Sequence, residues 1–213
     1  MLLDLDGTLT DSAPGIVASF RHAFDAVGVK LDEDAIARCI GPALRQGMRI
    51  LGMPADRVEE AVTAYRAYFV PHGIFDNRVY DGVVDVLDRW RDAGLRLALA
   101  TAKREDYAVD VLAHFALDGY FDVVVGATPD ARRTHKDEII TEALRLAGVA
   151  GSERVVMIGD RDHDVLGALA NGVVPIGVAW GYGSREELES AGARRIVETP
   201  AALGDLVLDL AAG

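Results

Sequence analysis

The sequence predicts an α/β protein: a parallel sheet wrapped by helices on both faces, interrupted after its first strand by an all-helical lobe. Three observations carry this. From residue 79 onward, apolar runs of strand length alternate with helical stretches, the pattern of βα units. Residues 12–77 show helical periodicity and no strand run. The apolar runs also end on polar residues, with Asp4 and Asp6 after the first, Thr101 after the second and Asp160 after the fourth. Open α/β sheets hold their ligands at such carboxyl ends.

The chain opens M-L-L-D-L-D-G-T-L-T-D. Residues two apart on a strand share a face, so Asp4 and Asp6 point the same way if the strand persists. If the chain turns at Gly7, both still sit at the strand's carboxyl end. Facing carboxylates repel, and the pair calls for a cation. Only three residues precede Asp4, so either the strand is short or the natural chain begins upstream of Met1.

Ser12 is placed to cap a helix with Pro14 in its first turn, an apolar stripe at Ile16, Val17, Phe20, Phe24 and Val27, and Gly28 as its stop. A second helix is expected from Asp32 to just before Gly41, a third from Pro42 to about Gly52, and a fourth from Pro54 with Val58, Val62, Tyr65 and Phe69 on one stripe. The pattern then changes. A helix over residues 82–92 precedes a strand at 95–100, and a helix at 105–115 precedes a strand at 121–125. Next come a helix over 136–147 closed by Gly148, a strand at 154–158, a helix over 162–170 and a strand at 173–178. Ser184 and Glu187 match a capping box opening a short helix. A strand at 195–197 and a helix opened by Pro200 complete the chain.

Of the 213 residues, 50% are hydrophobic and 26% charged, an ordinary globular composition with enough chain for one sizeable core and a smaller lobe. A net charge of −12 argues against nucleic-acid or membrane partners, which need a basic face. One cysteine, Cys39, excludes an intrachain disulfide and a multi-cysteine metal cluster. No apolar run would span a bilayer and no signal-peptide pattern opens the chain, so a cytoplasmic monomer or homodimer is the expectation.

Two further stretches carry chemistry. Lys136 opens a helix, where the dipole disfavours a cation; it therefore calls for an anionic partner, or else is one solvated cation beside Arg132 and Arg133. V-V-M-I-G-D-R-D-H-D delivers Asp160 from a buried-type strand, with Asp164 one helical turn later and Asp162 and His163 expected at the surface. Mg²⁺ takes few carboxylates together with waters and substrate oxygens, and Asp160 adds the acid that Asp4 and Asp6 lack. The spacing does not match an EF-hand loop.

D-L-D-G-T-L-T-D-S resembles the first motif of the haloacid dehalogenase-like (HAD) superfamily of phosphohydrolases. Thr101, Lys136 and Asp160 resemble the second, third and fourth motifs by position, with Ala102 and Asp137 departing from the usual Asn and Pro. G-I-F-D-N-R-V-Y-D-G and G-V-A-W-G-Y-G-S-R-E-E-L look most like the phosphoglycolate phosphatase-like and 5′-nucleotidase-like branch. The resemblance implies a Rossmann-like core, residues 1–11 and 79–213, with residues 12–78 as an inserted helical cap that closes over the site. It implies Asp4 as the nucleophile that becomes an aspartyl-phosphate and Asp6 as general acid and base. Both would help to hold Mg²⁺, Asp6 through its backbone carbonyl, with Asp160 a direct ligand and Asp164 an outer one. Thr101 and Lys136 would bind the phosphoryl group. In relatives the loop near Gly41-Pro42 and the following helix contact substrate, which points to Arg45. The implied activity is Mg²⁺-dependent hydrolysis of a small phosphorylated metabolite. The alternatives are a 5′-nucleotidase, a sugar phosphomutase or a non-catalytic phospho-ligand-binding module. Asp6 and Asp160 count against a metal-free dehalogenase. Lys30, in a turn between helices, counts against a Schiff-base phosphonate-cleaving enzyme.

Overall fold

A computed structural model describes residues 1–40 and 44–212. The chain forms two compact units, residues 1–10 with 79–213 and residues 11–78. Its strands are β1 (Leu2–Leu3), β2 (Thr10–Asp11), β3 (Arg78–Val79), β4 (Ala98–Arg104), β5 (Val123–Ala127), β6 (Val156–Gly159), β7 (Val174–Val178) and β8 (Arg195–Val197). Its α-helices are α1 (Ala13–Val27), α2 (Leu44–Ile50), α3 (Val58–Tyr68), α4 (Val83–Asp92), α5 (Glu105–His114), α6 (Lys136–Ala147), α7 (Asp162–Ala170), α8 (Arg185–Ala191) and α9 (Pro200–Ala212).

The larger unit is a six-stranded sheet in the order β5-β4-β1-β6-β7-β8, with every pairing parallel. After β1 the strands run outward to one side through β4 and β5, and then resume on its other side from β6. This reversal beside β1 is a topological switch point, the place where such sheets open a crevice for ligands. β1 is only two residues long, but Ala98 N–H donates to Met1 O and Asp4 N–H to Ile158 O, both at 2.9 Å, which continues its pairing on either side. Alternation sends Leu2 to one face, where it joins Ala98, Ala100, Val125 and Met157 of the sheet under Ile139, Ile140, Ala143 and Leu144 of α6. Leu3 goes to the other face, beside Val86, Leu87 and Trp90 of α4 and Leu203 of α9.

The smaller unit is helical. α1 and α3 pack through Phe20 and Tyr65, whose rings meet edge to face at 5.0 Å, and Tyr65 stacks on Phe69 at 5.4 Å. Gly15 of α1 lies so close to the π-helical turn Phe69–Gly73 that a methyl group there would strike the Gly73 carbonyl.

Several boundaries differ from the sequence reading. The expected second helix is a 3₁₀ segment, Glu33–Cys39. The expected start at Pro42 and stop at Gly41 lie outside the described residues. The helix expected from Pro54 begins as a 3₁₀ turn, Ala55–Arg57, before α3. Ser12 holds the cap position of α1 without a side-chain capping bond; Ala13 N–H donates instead to Asp11 Oδ1 at 3.3 Å. The second core strand starts later than expected and runs on through Thr101 to Arg104, because its parallel partner β5 continues to Ala127.

Candidate active site

The carboxyl end of β1 makes a tight loop rather than a longer strand. Leu5 O accepts from the amides of Thr8, Leu9 and Thr10, and Gly7 N–H donates to Thr10 O at 2.8 Å. Gly7 takes φ +85°, and a side chain there would run into the Asp160 carboxylate. Both the backbone angle and the space demand glycine. The loop leaves Asp4 buried and Asp6 partly exposed.

Lys136, the first residue of α6, is 4% exposed. Its Nζ lies 2.8 Å from Asp4 Oδ1 and 2.6 Å from Asp164 Oδ1, and donates to Ala100 O at 2.8 Å. A lysine is almost never buried without partners, and here two carboxylates and a carbonyl offset both lost hydration and the helix dipole. The α6 start is held independently, by Glu138 Oε2 accepting from the Thr134 and His135 amides at 3.1 and 3.2 Å. Burial by itself would raise the Asp4 pKa; the Lys136 ammonium, with hydrogen bonds from Lys136 and Thr101, holds it below the ordinary value. Burial would likewise lower Lys136, but Asp164 and Asp4 hold it above the usual lysine range. An ionised carboxylate and an ammonium face one another.

Thr101 is buried on β4 with its hydroxyl on Asp4, and its Oγ1 accepts from the Lys103 amide at 3.2 Å. Asp160, at the end of β6, is fully buried. Thr8 Oγ1 donates to its Oδ1 at 3.2 Å, and the Tyr182 amide donates to its Oδ2 at 2.7 Å. Burial, then the nearby charges of Asp164 and Asp4, push its pKa up to about 8. Asp164 Oδ2 accepts from the Arg161 amide at 3.1 Å, capping α7.

Oxygen donors therefore outnumber the cations that face them. Asp6 Oδ1, Asp4 Oδ1 and Asp164 Oδ1 are buried with no hydrogen-bond partner, the last two lying against the Lys136 ammonium. Asp160 retains a proton to a pH far above the carboxylate norm. An all-oxygen donor set and an acid that cannot ionise cheaply fit a hard divalent cation such as Mg²⁺, which Asp4, Asp160 and the Asp6 backbone carbonyl would hold. Ligand atoms of Asp4, His163 and Asp164 also lie within 4.8 Å of one another, but Lys136 Nζ already bridges those two carboxylates, so that trio is a poor cation site.

The structure gathers Asp4, Thr101, Lys136, Asp160 and Asp164 of the sequence-derived set. Arg45 belongs to the helical unit, where its guanidinium makes a two-bonded pair with Glu59 at 2.6 and 2.9 Å. His163 departs from the surface role expected of it: it is only part-exposed, and its Nε2 is 3.9 Å from Asp164 Oδ1. Its place at the start of α7 turns it back toward the strand ends. Lys103 was missed. Its ammonium is 3.0 Å from Asp6 Oδ2, with the lysine side chain 6% and the aspartate 17% exposed. Regular alternation does not predict its contact, because the strand bulges between Ala100 and Arg104. The segment around Tyr182 contributes a backbone amide and an indole: Tyr182 N–H donates to Asp160 Oδ2 at 2.7 Å, and Trp180 Nε1 donates to Thr8 O at 3.1 Å.

A family model described as haloacid dehalogenase-like hydrolase matches residues 1–178. The chain is 42% identical over 190 residues to the tyrosine-protein kinase PtkA of Mycobacterium tuberculosis, covering 89% of this chain and 65% of that protein's length. It is 43% identical over 194 residues to a 5′-nucleotidase of Pseudomonas aeruginosa, covering 89% of this chain and 86% of that one. Among solved structures, a predicted phosphatase from Clostridium acetobutylicum superposes with a TM-score of 0.91 at 37% identity, covering 98% of this chain and 97% of that one. No helix among the described residues is long and apolar enough to cross a membrane.

Proposed function

Because the chain belongs to the haloacid dehalogenase-like hydrolase family, we propose that it is a Mg²⁺-dependent phosphatase that hydrolyses a small phosphate monoester through an aspartyl-phosphate on Asp4. One observation carries this reading: an ionised, buried carboxylate held against a lysine ammonium and a threonine hydroxyl at the sheet's switch point. A stability role alone would be served as well by apolar residues.

A carboxylate oxygen of Asp4 attacks phosphorus as the bond to the ester oxygen breaks, and Asp6 gives its proton to the departing alkoxide. Asp6 then takes a proton from water, whose oxygen attacks phosphorus. The bond to Asp4 breaks and inorganic phosphate leaves. Lys136 and Thr101 offset charge on the phosphoryl oxygens, and Asp164 holds Lys136 in place. Mg²⁺, when held by Asp4, Asp6 and Asp160, supplies positive charge that lets an anionic ester approach an anionic nucleophile. The relatives' names favour a phosphoglycolate or a nucleoside monophosphate as substrate.

A second reading follows from the identity to PtkA: transfer of a phosphoryl group to a protein tyrosine. Phosphate release from a panel of phosphometabolites, with and without Mg²⁺, tests the first reading, and labelling of tyrosine by ATP tests the second. The expected result is Mg²⁺-dependent phosphate release, lost in Asp4→Asn with folding intact. Hydrolysis retained in that variant would remove Asp4 from the mechanism.

A further inference from the structure

We propose that Lys103 is a positioning residue for Asp6, anchoring one oxygen of the acid–base carboxylate so that the other is aimed at the leaving group. The inference rests on the phosphatase reading above and assigns a part of that site not yet accounted for.

The placement of Lys103 comes from a local irregularity in the sheet. Pairing of β4 with β5 runs Ala100 to Val125 and then Arg104 to Ala127, so four steps along one strand match two along the other. The surplus is a bulge over Thr101, Ala102 and Lys103, a device that re-aims side chains beside a site. Its two polar side chains both serve the first loop, Thr101 on Asp4 and Lys103 on Asp6. The Lys103 amide donates to Thr101 Oγ1, so the two anchors are set by one piece of backbone.

The pair is also unlike the ion pairs at the surface. Arg45–Glu59, Arg89–Asp205 and Arg194–Glu153 leave at least two-fifths of each side chain in water. Lys103 keeps 6%, so its ammonium gives up hydration that the Asp6 carboxylate helps to offset. The contact uses Asp6 Oδ2, whereas Oδ1 is buried without a hydrogen-bond partner. A carboxylate gripped at one oxygen cannot rotate freely, and the other oxygen is left for the proton transfers.

A residue acting through Asp6 has a kinetic signature. An alkyl phosphate needs a proton on its leaving oxygen, whereas p-nitrophenolate departs without one. In single-turnover measurements Lys103→Met should slow cleavage of glycerol phosphate by ~10–100-fold, within the usual span of a general acid's contribution, but cleavage of p-nitrophenyl phosphate by less than about threefold. Lys103→Met added to Asp6→Asn should cost nothing more with glycerol phosphate, the non-additivity of groups that work as a unit. Lys103→Arg should restore part of the loss. Additive losses, equal losses on the two esters, or a raised KM with unchanged kcat would each overturn the assignment. If Lys103→Met fails to fold, Lys103→Gln carries the same comparison. Absence of phosphate release from either ester by the wild-type protein would instead overturn the phosphatase reading.

Discussion

Lys136 connects stability to chemistry through one side chain. It lies between Asp4 and Asp164 and is closed off from water. Removing one partner of a buried ion pair leaves an uncompensated charge and costs roughly 3–5 kcal/mol. Lys136→Met should therefore lower unfolding free energy by about that amount in denaturant titrations, besides abolishing turnover. Adding Asp164→Asn should recover part of the stability but none of the activity, since it removes one stranded charge and leaves the phosphoryl group without its cation. A double variant as unstable as the single one would contradict this account.

At the scale of elements, the site is held by backbone that approaches too closely for side chains. The segment from Trp180 to Gly183 lies over Asp160, giving it the Tyr182 amide and pinning Thr8 through the Trp180 indole. A methyl on Gly183 would meet the Asp160 carbonyl oxygen, and one on Gly181 would meet the Asp160 side chain and Gly7 O. Those neighbours are backbone or fixed carboxylate, so the segment itself must move. Gly183→Ala should cost ~1–3 kcal/mol, the usual range for overpacking, and should weaken Mg²⁺ binding measured by calorimetry. Unchanged Mg²⁺ affinity would mean that this segment does not set the position of Asp160.

Across the whole molecule, the proposed cation site would link cation binding to folding through Asp160. Its folded pKa of about 8 lies above the ordinary carboxylate value, so between these limits the folded protein holds a proton that the unfolded chain has released. Stability of the metal-free protein should therefore fall as pH rises through that window. Asp4 has the opposite sign: its depressed pKa contributes stability above the ordinary value that is lost as pH falls below it. Under the proposed function Mg²⁺ would compete with the Asp160 proton, so its stabilising effect should grow from pH 5 to pH 9. At a hundredfold excess over Kd the shift in Tm should reach about 5–10 °C. Melting curves with EDTA or Mg²⁺ at three pH values test this, and a cation effect that is independent of pH would show that Asp160 does not ionise on binding.

Elements with both ends marked were legible in the sequence. α6 and α7 fall on the residues expected of them, because Gly148 and Asn171-Gly172 stop them and acidic first turns start them. Asp4, Thr101 and Asp160 were legible because each follows an apolar run and so reaches the same sheet edge, and Lys136 because a cation at a helix start calls for an anionic partner. Lys103, the inward place of His163 and the contribution of the Tyr182 amide were not, since a bulge is a mismatch between two strands and a close approach involves residues far apart in the chain. By itself the sequence determined the strand-end chemistry and the alternation that brings it to one edge, through side-chain period and local turn signals. Only the tertiary structure decided which oxygen faces which ammonium, because strand register and burial set those distances and charges.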